Sequence, residues 1–232
     1  MNGLFITGTD TGIGKTYVAC SIFRAAVTQG LRIGAYKPVC SGAEIVDGRP
    51  RWEDVEALAA ALQDEFPPER ICPQRFLAPL APPAAAAAEG RRVNEPLLAD
   101  GVDWWRDQVD LLVVEGVGGW LCPLAESRTI AELAAELGFP VLVVAANRLG
   151  TINHTLLTLE SIRSRGLSVA GIVLNDVSMR SDLSVATNAA DLWERADVPW
   201  LATLGHGREE LVTRDGMASA VDWNFLTQQR AE

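Results

Sequence analysis

Three short runs constrain the fold more than anything else in the chain: residues 110–115 (DLLVVE), 140–146 (PVLVVAA) and 169–175 (VAGIVLN) are apolar almost throughout. A strand with one wet face alternates polar and apolar residues, so runs like these belong to strands covered on both faces, as in a parallel sheet clothed by helices. Strands are expected at 4–7, 32–39, 110–115, 140–146, 169–175 and 200–204, and helices at 15–29, 54–63, 129–137, 152–165 and 183–195. The proline-led stretch 79–88 (PLAPPAAAAA) reads as a turn running into an Ala-rich helix, and 221–229 as one weak helix. This alternation predicts an α/β fold, a mostly parallel sheet with helices on both faces. With 232 residues and no linker, one domain spanning 1–232 is expected.

Thirty acidic residues against twenty basic ones leave a net charge of −10, a field that repels nucleic-acid backbones and anionic lipid, so no nucleic acid and no membrane are expected as partners. No apolar run approaches the ~18 residues of a membrane span, and the first residues turn polar at Asp10 before any signal-like stretch matures. Cys20, Cys40, Cys72 and Cys122 lack the paired spacing of a zinc site or a disulfide framework. The expected location is a reducing cytoplasm.

The turn after the first expected strand reads Gly8-Thr9-Asp10-Thr11-Gly12-Ile13-Gly14-Lys15-Thr16, and a helix follows. Backbone N–H groups of such a turn, joined by the unsatisfied donors of the helix N-terminus, form a concave anion site. It ends in the GKT of a P-loop, with Lys15 set to reach the terminal phosphates of a nucleotide and the Thr16 hydroxyl to hold Mg²⁺. Thr9 stands where the usual spacing puts the first glycine and Gly8 lies one residue earlier, so the loop is one residue long. The metal also needs a carboxylate at a neighbouring strand end, and Glu115 closes the run 110–115 just before the flexible Gly116-Val117-Gly118-Gly119. Asp54 is either an ordinary first-turn helix acid or a further ligand. A guanine site wants Asn-Lys-x-Asp, whereas Asn147-Arg148-Leu149-Gly150 lacks the Lys and the Asp, which disfavours GTP. Asn175-Asp176 is either a plain strand-end turn or an amide that pairs with the edge of adenine.

The basic residues divide unevenly, into eighteen arginines and two lysines, Lys15 and Lys37. On a solvated surface the two types exchange freely, but a guanidinium fork cannot replace a compact ammonium in a tight loop or beside a small reacting group. Lys37 closes the second expected strand, and a parallel sheet delivers it to the same rim as the P-loop. Two lysines converging on one phosphate suit a reaction in which charge builds on a transferring phosphoryl group or an adjacent carbamate.

At family-like spacing, GTDTGIGKT (8–16), YKPVCSG (36–42), Asp54, VEGVGGW (114–120), LGTINHT (149–155) and Asn175-Asp176 resemble the dethiobiotin synthetases, over residues 3–176. The resemblance implies an ATP- and Mg²⁺-dependent cyclo-ligase: 7,8-diaminopelargonate takes up CO₂ as a carbamate, ATP phosphorylates it to a carbamic-phosphoric anhydride, and the second amine closes the ring to dethiobiotin, ADP and phosphate. It makes Lys37 and Lys15 catalytic, the first beside the carbamate and the second on the phosphoryl group. It makes Thr16, Asp54 and Glu115 the Mg²⁺ ligands, and gives ATP to Thr11, Gly12, Ile13, Gly14, Lys15, Thr16, Glu115, Gly116, Val117 and Gly118, with Asn175 and Asp176 at adenine. Ser41 is implied at the diamine, and Gly150, Thr151 and Asn153 at the substrate carboxylate across a homodimer interface; the α-helix N-terminus opening there is itself an anion site. His154 is expected to be structural, and His206 has no motif behind it.

Three places depart from the resemblance. Gly12 stands where some members carry an acid, 82–88 is Ala-rich where others carry His and Ser, and similarity thins after residue 176, where contacts near 204–206 would fall. A related amidotransferase-type ligase would want an added glutaminase domain, for which the chain is too short. A partitioning-type ATPase switch would want an early signature lysine, and position 9 is Thr.

Overall fold

A computed structural model describes residues 1–179 and 182–213, so the weak helix expected at 221–229 lies outside the described residues. In chain order the strands are β1 (Asn2–Gly8), β2 (Ile33–Tyr36), β3 (Val39–Ser41), β4 (Glu44–Val46), β5 (Arg49–Arg51), β6 (Gln74–Phe76), β7 (Leu111–Glu115), β8 (Val141–Ala146), β9 (Val169–Asn175), β10 (Leu201–Leu204) and β11 (Val212–Thr213). The helices are α1 (Lys15–Thr28), α2 (Glu53–Ala61), α3 (Pro68–Ile71), α4 (Pro82–Ala88), α5 (Glu95–Asp100), α6 (Ile130–Leu137), α7 (Thr151–Arg163) and α8 (Val185–Ala196), with one 3₁₀ turn at Asp103–Trp105.

The central sheet has seven strands in the order β11-β10-β9-β8-β1-β7-β2, all parallel except the edge strand β11, which pairs antiparallel with β10. Every residue of β7, β8 and β9 is buried. Successive side chains point to opposite faces, so both faces are covered, as the apolar runs predict. Each buried Val or Leu there gains roughly 1.5–3 kcal/mol over exposure. The chain lays β2 and β7 on one side of β1 and β8 to β11 on the other, which makes β1 the point where strand order reverses and where crevices open at the strands' C-terminal ends.

Local chemistry sets the helix ends. Thr129 and Glu132 form a capping box at the start of α6, and Gly138 closes it in the left-handed region. Pro82 and Pro83 open α4, where their missing N–H groups cost no helical hydrogen bond, so the Ala-rich stretch is helical as expected. Among the described residues no helix is long and apolar enough to cross a membrane.

One expected strand is corrected. The run 32–39 does not continue past Tyr36, because Pro38 has no N–H to give and the Lys37 N–H donates sideways to the Ile71 carbonyl at 2.7 Å. The chain then leaves the sheet; β3 pairs in parallel with β6, and β4 and β5 form a separate antiparallel hairpin. This break leaves Lys37 at the sheet's C-terminal rim instead of inside a ladder.

Candidate active site

The loop after β1 is held from below. Gly14, with φ 81°, takes a left-handed conformation at the start of α1, and a Cβ there would stand 2.2 Å from Asn175 Nδ2. Asn175, buried at the end of β9, donates that Nδ2 hydrogen to the Ile13 carbonyl at 2.9 Å. The resemblance puts this amide at adenine; in the folded chain it pins the loop. Asp10 braces the loop from within, accepting the Thr11 N–H on Oδ1 at 2.7 Å and the Lys15 ammonium on its carbonyl at 3.2 Å. Lys15 is only 7% exposed. Burial pushes its pKa below the usual lysine value, and the pull of Glu115 only partly opposes that.

Lys37 is 2% exposed and bound differently. Its Nζ donates to Asp54 Oδ2 at 2.6 Å and to Glu115 Oε1 at 2.5 Å. Burial alone would lower its pKa, but the two carboxylates more than reverse this and hold it well above the normal range. Asp54 sits in the first turn of α2; desolvation works to raise its pKa, and Lys37 with the Thr16 hydroxyl outweighs it, so the carboxyl is held below the usual range. The Thr16 hydroxyl lies beside both carboxylates and donates its one hydrogen to Glu115 Oε1 at 2.7 Å. The structure therefore brings Lys15, Thr16, Lys37, Asp54 and Glu115 together from four separate stretches of chain.

These residues line a cavity of about 700 Å³ that also takes in Thr11, Gly12, Gly14, Ser41, Val117 and Gly118. Pro79 to Pro82, at the start of α4, form part of its wall, along with Cys20 and Cys122, which the sequence did not single out. Ser41 donates to the Leu80 carbonyl at 2.6 Å and so ties β3 to that wall. Gly150, Thr151 and Asn153 do not line this cavity in their own chain; Gly150 caps α7 at φ 92° and Asn153 is exposed. His154 is exposed as well, while His206 Nδ1 meets the Asp176 carbonyl at 3.2 Å.

The donor set also bears on a divalent cation. Glu115 is 2% exposed, yet its Oε2 has no hydrogen-bond partner among the described residues. A buried carboxylate oxygen left unpaired is costly unless a cation completes it. Together with the Thr16 hydroxyl and Asp54 it offers the hard oxygen ligands that Mg²⁺ takes.

A glycine-rich loop over a helix N-terminus, at the reversal point of a parallel sheet and facing lysines and carboxylates, defines a P-loop nucleotide-binding α/β protein. A solved signal recognition particle receptor, FtsY from Elizabethkingia anophelis in complex with GDP, shares this fold with a TM-score of 0.52 at 14% identity; the alignment covers 99% of this chain and 64% of that one. An AAA domain model matches residues 2–209, well past residue 176. The chain is 50% identical over 192 residues to the ATP-dependent dethiobiotin synthetase of Anaeromyxobacter dehalogenans strain 2CP-C, covering 83% of this chain and 84% of that one. It is 36% identical over 223 residues to the same-named protein of Rhodopirellula baltica, covering 91% and 87%. The chain belongs to the dethiobiotin synthetase family of enzymes.

Proposed function

We propose that this chain uses ATP and Mg²⁺ to carboxylate 7,8-diaminopelargonate with CO₂ and close it to dethiobiotin, releasing ADP and phosphate by way of a carbamate and a carbamic-phosphoric anhydride. The observation that carries the proposal is Lys37, a buried ammonium on the wall of the same cavity as the P-loop lysine. In this reading one amine of the diamine attacks CO₂ and loses a proton, and the Lys37 ammonium holds the resulting carbamate oxygen. The carbamate oxygen attacks the γ-phosphorus, and Lys15 leaves the Asp10 carbonyl to neutralise charge on the transferring group. The second amine then attacks the anhydride carbonyl and expels phosphate. Each fixed cation contributes on the order of 10²–10³ in rate. Thr16, Asp54 and Glu115 would hold Mg²⁺, which supplies charge neutralisation across the phosphates when bound.

ATP lies along Thr11 to Thr16 and Glu115 to Gly118 in this proposal, with its base beside Asn175 and Asp176. Ser41 faces the diamine. The carboxylate of the diamine meets Gly150, Thr151 and Asn153 of a second copy in a homodimer. Support comes from the position of these three residues away from their own cavity and from Leu149 beside them, an apolar side chain 80% exposed. Free thiols at all four cysteines fit a reducing cytoplasm.

Incubation with ATP, Mg²⁺, bicarbonate and the diamine tests the reading. Phosphate release that needs the diamine, with a product heavier by one CO less two hydrogens, is the expected result. Phosphate release indifferent to the diamine would overturn it. For the dimer, light scattering on the purified chain should give twice the monomer mass, and Asn153→Ala should raise KM for the diamine with little effect on KM for ATP.

A further inference from the structure

Three carboxylates line the cavity of the candidate active site, and two of them have partners there. Asp54 and Glu115 hold the Lys37 ammonium, and with Thr16 they form the oxygen set that fits Mg²⁺. Glu53, the residue before Asp54, lines the same cavity and is exposed, so it stands at the opening. Among the described residues its side chain forms no ion pair and no hydrogen bond.

An acid in the first turn of a helix is favoured by the helix dipole alone. The first turn of α2 carries three, and each faces something different. Glu56 accepts from the Arg51 guanidinium at 2.8 Å and does not line the cavity, and Asp54 accepts from Lys37 at 2.6 Å. Glu53 is left facing the cavity. Ala57, one turn further on and on the same face of the helix, lines the cavity too, and its single methyl leaves the space beside Glu53 open to a ligand. Ser41 adds a second acceptor: its hydroxyl gives its hydrogen to the Leu80 carbonyl at 2.6 Å, so the oxygen has only lone pairs left to offer. The cavity is thus divided by chemistry. Lys15, Lys37 and the loop N–H groups donate, which suits phosphate oxygens; Ser41 Oγ and Glu53 accept, which phosphate cannot use and a protonated amine can.

We propose that Glu53 binds one amine of the diamine as its ammonium while the other amine stands beside Lys37. The inference deepens the proposed function and rests on it. A nitrogen held as an ammonium has no lone pair for CO₂, so Glu53 decides which of the two amines is carboxylated. The held nitrogen gives its proton to solvent before it attacks the anhydride, and the Glu53 carboxylate ends as it began. Glu53 is in this way a specificity residue: it requires a second basic nitrogen in the substrate and orders the two nitrogens in time.

The probes are the diamine and its two monoamine analogues, each lacking one of the amines, titrated by calorimetry into the purified protein without bicarbonate. Glu53→Gln, which keeps the shape and removes the charge, should weaken the diamine about 10-fold. It should leave the monoamine that lacks the held nitrogen unaffected, and ATP affinity unchanged. Glu53→Asp should recover part of the loss. Diamine affinity should fall with rising salt in the unaltered protein and fall less steeply in Glu53→Gln. Equal weakening of the diamine and both monoamines, or of none of the three, would overturn the proposal and leave the reaction standing. A loss of ATP affinity in the presence of Mg²⁺ would assign Glu53 to the metal and overturn it as well. An unaltered protein that binds ATP but not the diamine would overturn both this inference and the proposed function.

Discussion

The chain's two lysines occupy neighbouring regions of one cavity under opposite conditions. At the P-loop, Lys15 is buried against a neutral carbonyl, and its charge is disfavoured in the free protein. At the end of β2, Lys37 is clamped between two carboxylates, and its charge is strongly favoured. The difference teaches where each countercharge comes from. Lys37 has its partners in the fold, whereas the countercharge of Lys15 comes, in the proposed reading, with the ligand. A cation left short of a partner is a binding device, and a cation with its partners in place is a fixed positive pole.

The largest effect should come at Lys37. Lys37→Gln should cut dethiobiotin formation by about 10³-fold or more while sparing most ATP binding, measured by product mass and calorimetry. Lys37→Arg should fail nearly as badly, because a planar fork cannot fit an ammonium's place; near-normal turnover in that variant would break the comparison. Lys37→Met should also destabilise the fold by about 3–5 kcal/mol in denaturant titration, since it leaves Glu115 buried and unpaired beside Asp54.

Lys15 should behave in the opposite way. Lys15→Met should abolish nucleotide binding yet stabilise the free protein by about 1 kcal/mol, because it removes a buried charge whose desolvation Glu115 and Asp54 only partly offset. A melting temperature raised by roughly 2–4 °C would register this, and a lowered one would show that Lys15 is better compensated than its neighbours indicate.

A pH series sharpens the contrast at lower amplitude. The Asp54 carboxyl is held below its unfolded value, so the stability it contributes is present above about pH 4 and is lost as pH falls through its folded value. Asp54→Asn should therefore flatten the loss of melting temperature below about pH 4 relative to the unaltered chain. The smallest effect is expected from Arg148 and Asp10, an exposed pair 3.5 Å apart at the same loop. A double-mutant cycle there should give a coupling of about 0.2–1 kcal/mol; a value as large as that of Lys37 with its carboxylates would mean that burial is not what strengthens the Lys37 clamp.

The sheet was legible because β7, β8 and β9 bury both faces and so carry unbroken apolar runs, and α4 because its two prolines fall where a helix tolerates them. The end of β2 was not, since the run 32–39 looks continuous until the N–H that Pro38 lacks is counted. The hairpin of β4 and β5, three exposed residues per strand, has no alternation to read. The start of α5 does carry a signal: Asn94 caps it by accepting the Leu97 N–H, with Pro96 in the first turn. Lys15, Lys37 and Glu115 were legible because each closes or follows a strand at one rim. The buried hydrogen bond from Asn188 Nδ2 to Asn147 Oδ1, 2.9 Å long, was not, because two amides on different elements share no motif, and only folding sets them face to face.

The arginine surface has a practical consequence. With eighteen of the twenty basic residues carrying guanidinium groups, the exterior offers amine-directed reagents no side-chain target, and the two ε-amines of the whole chain both stand in one cavity. An acylating label therefore marks the α-amine or the site itself. Loss of the ε-amine label when nucleotide is added would report occupancy of that cavity in the unaltered protein, with no engineered probe.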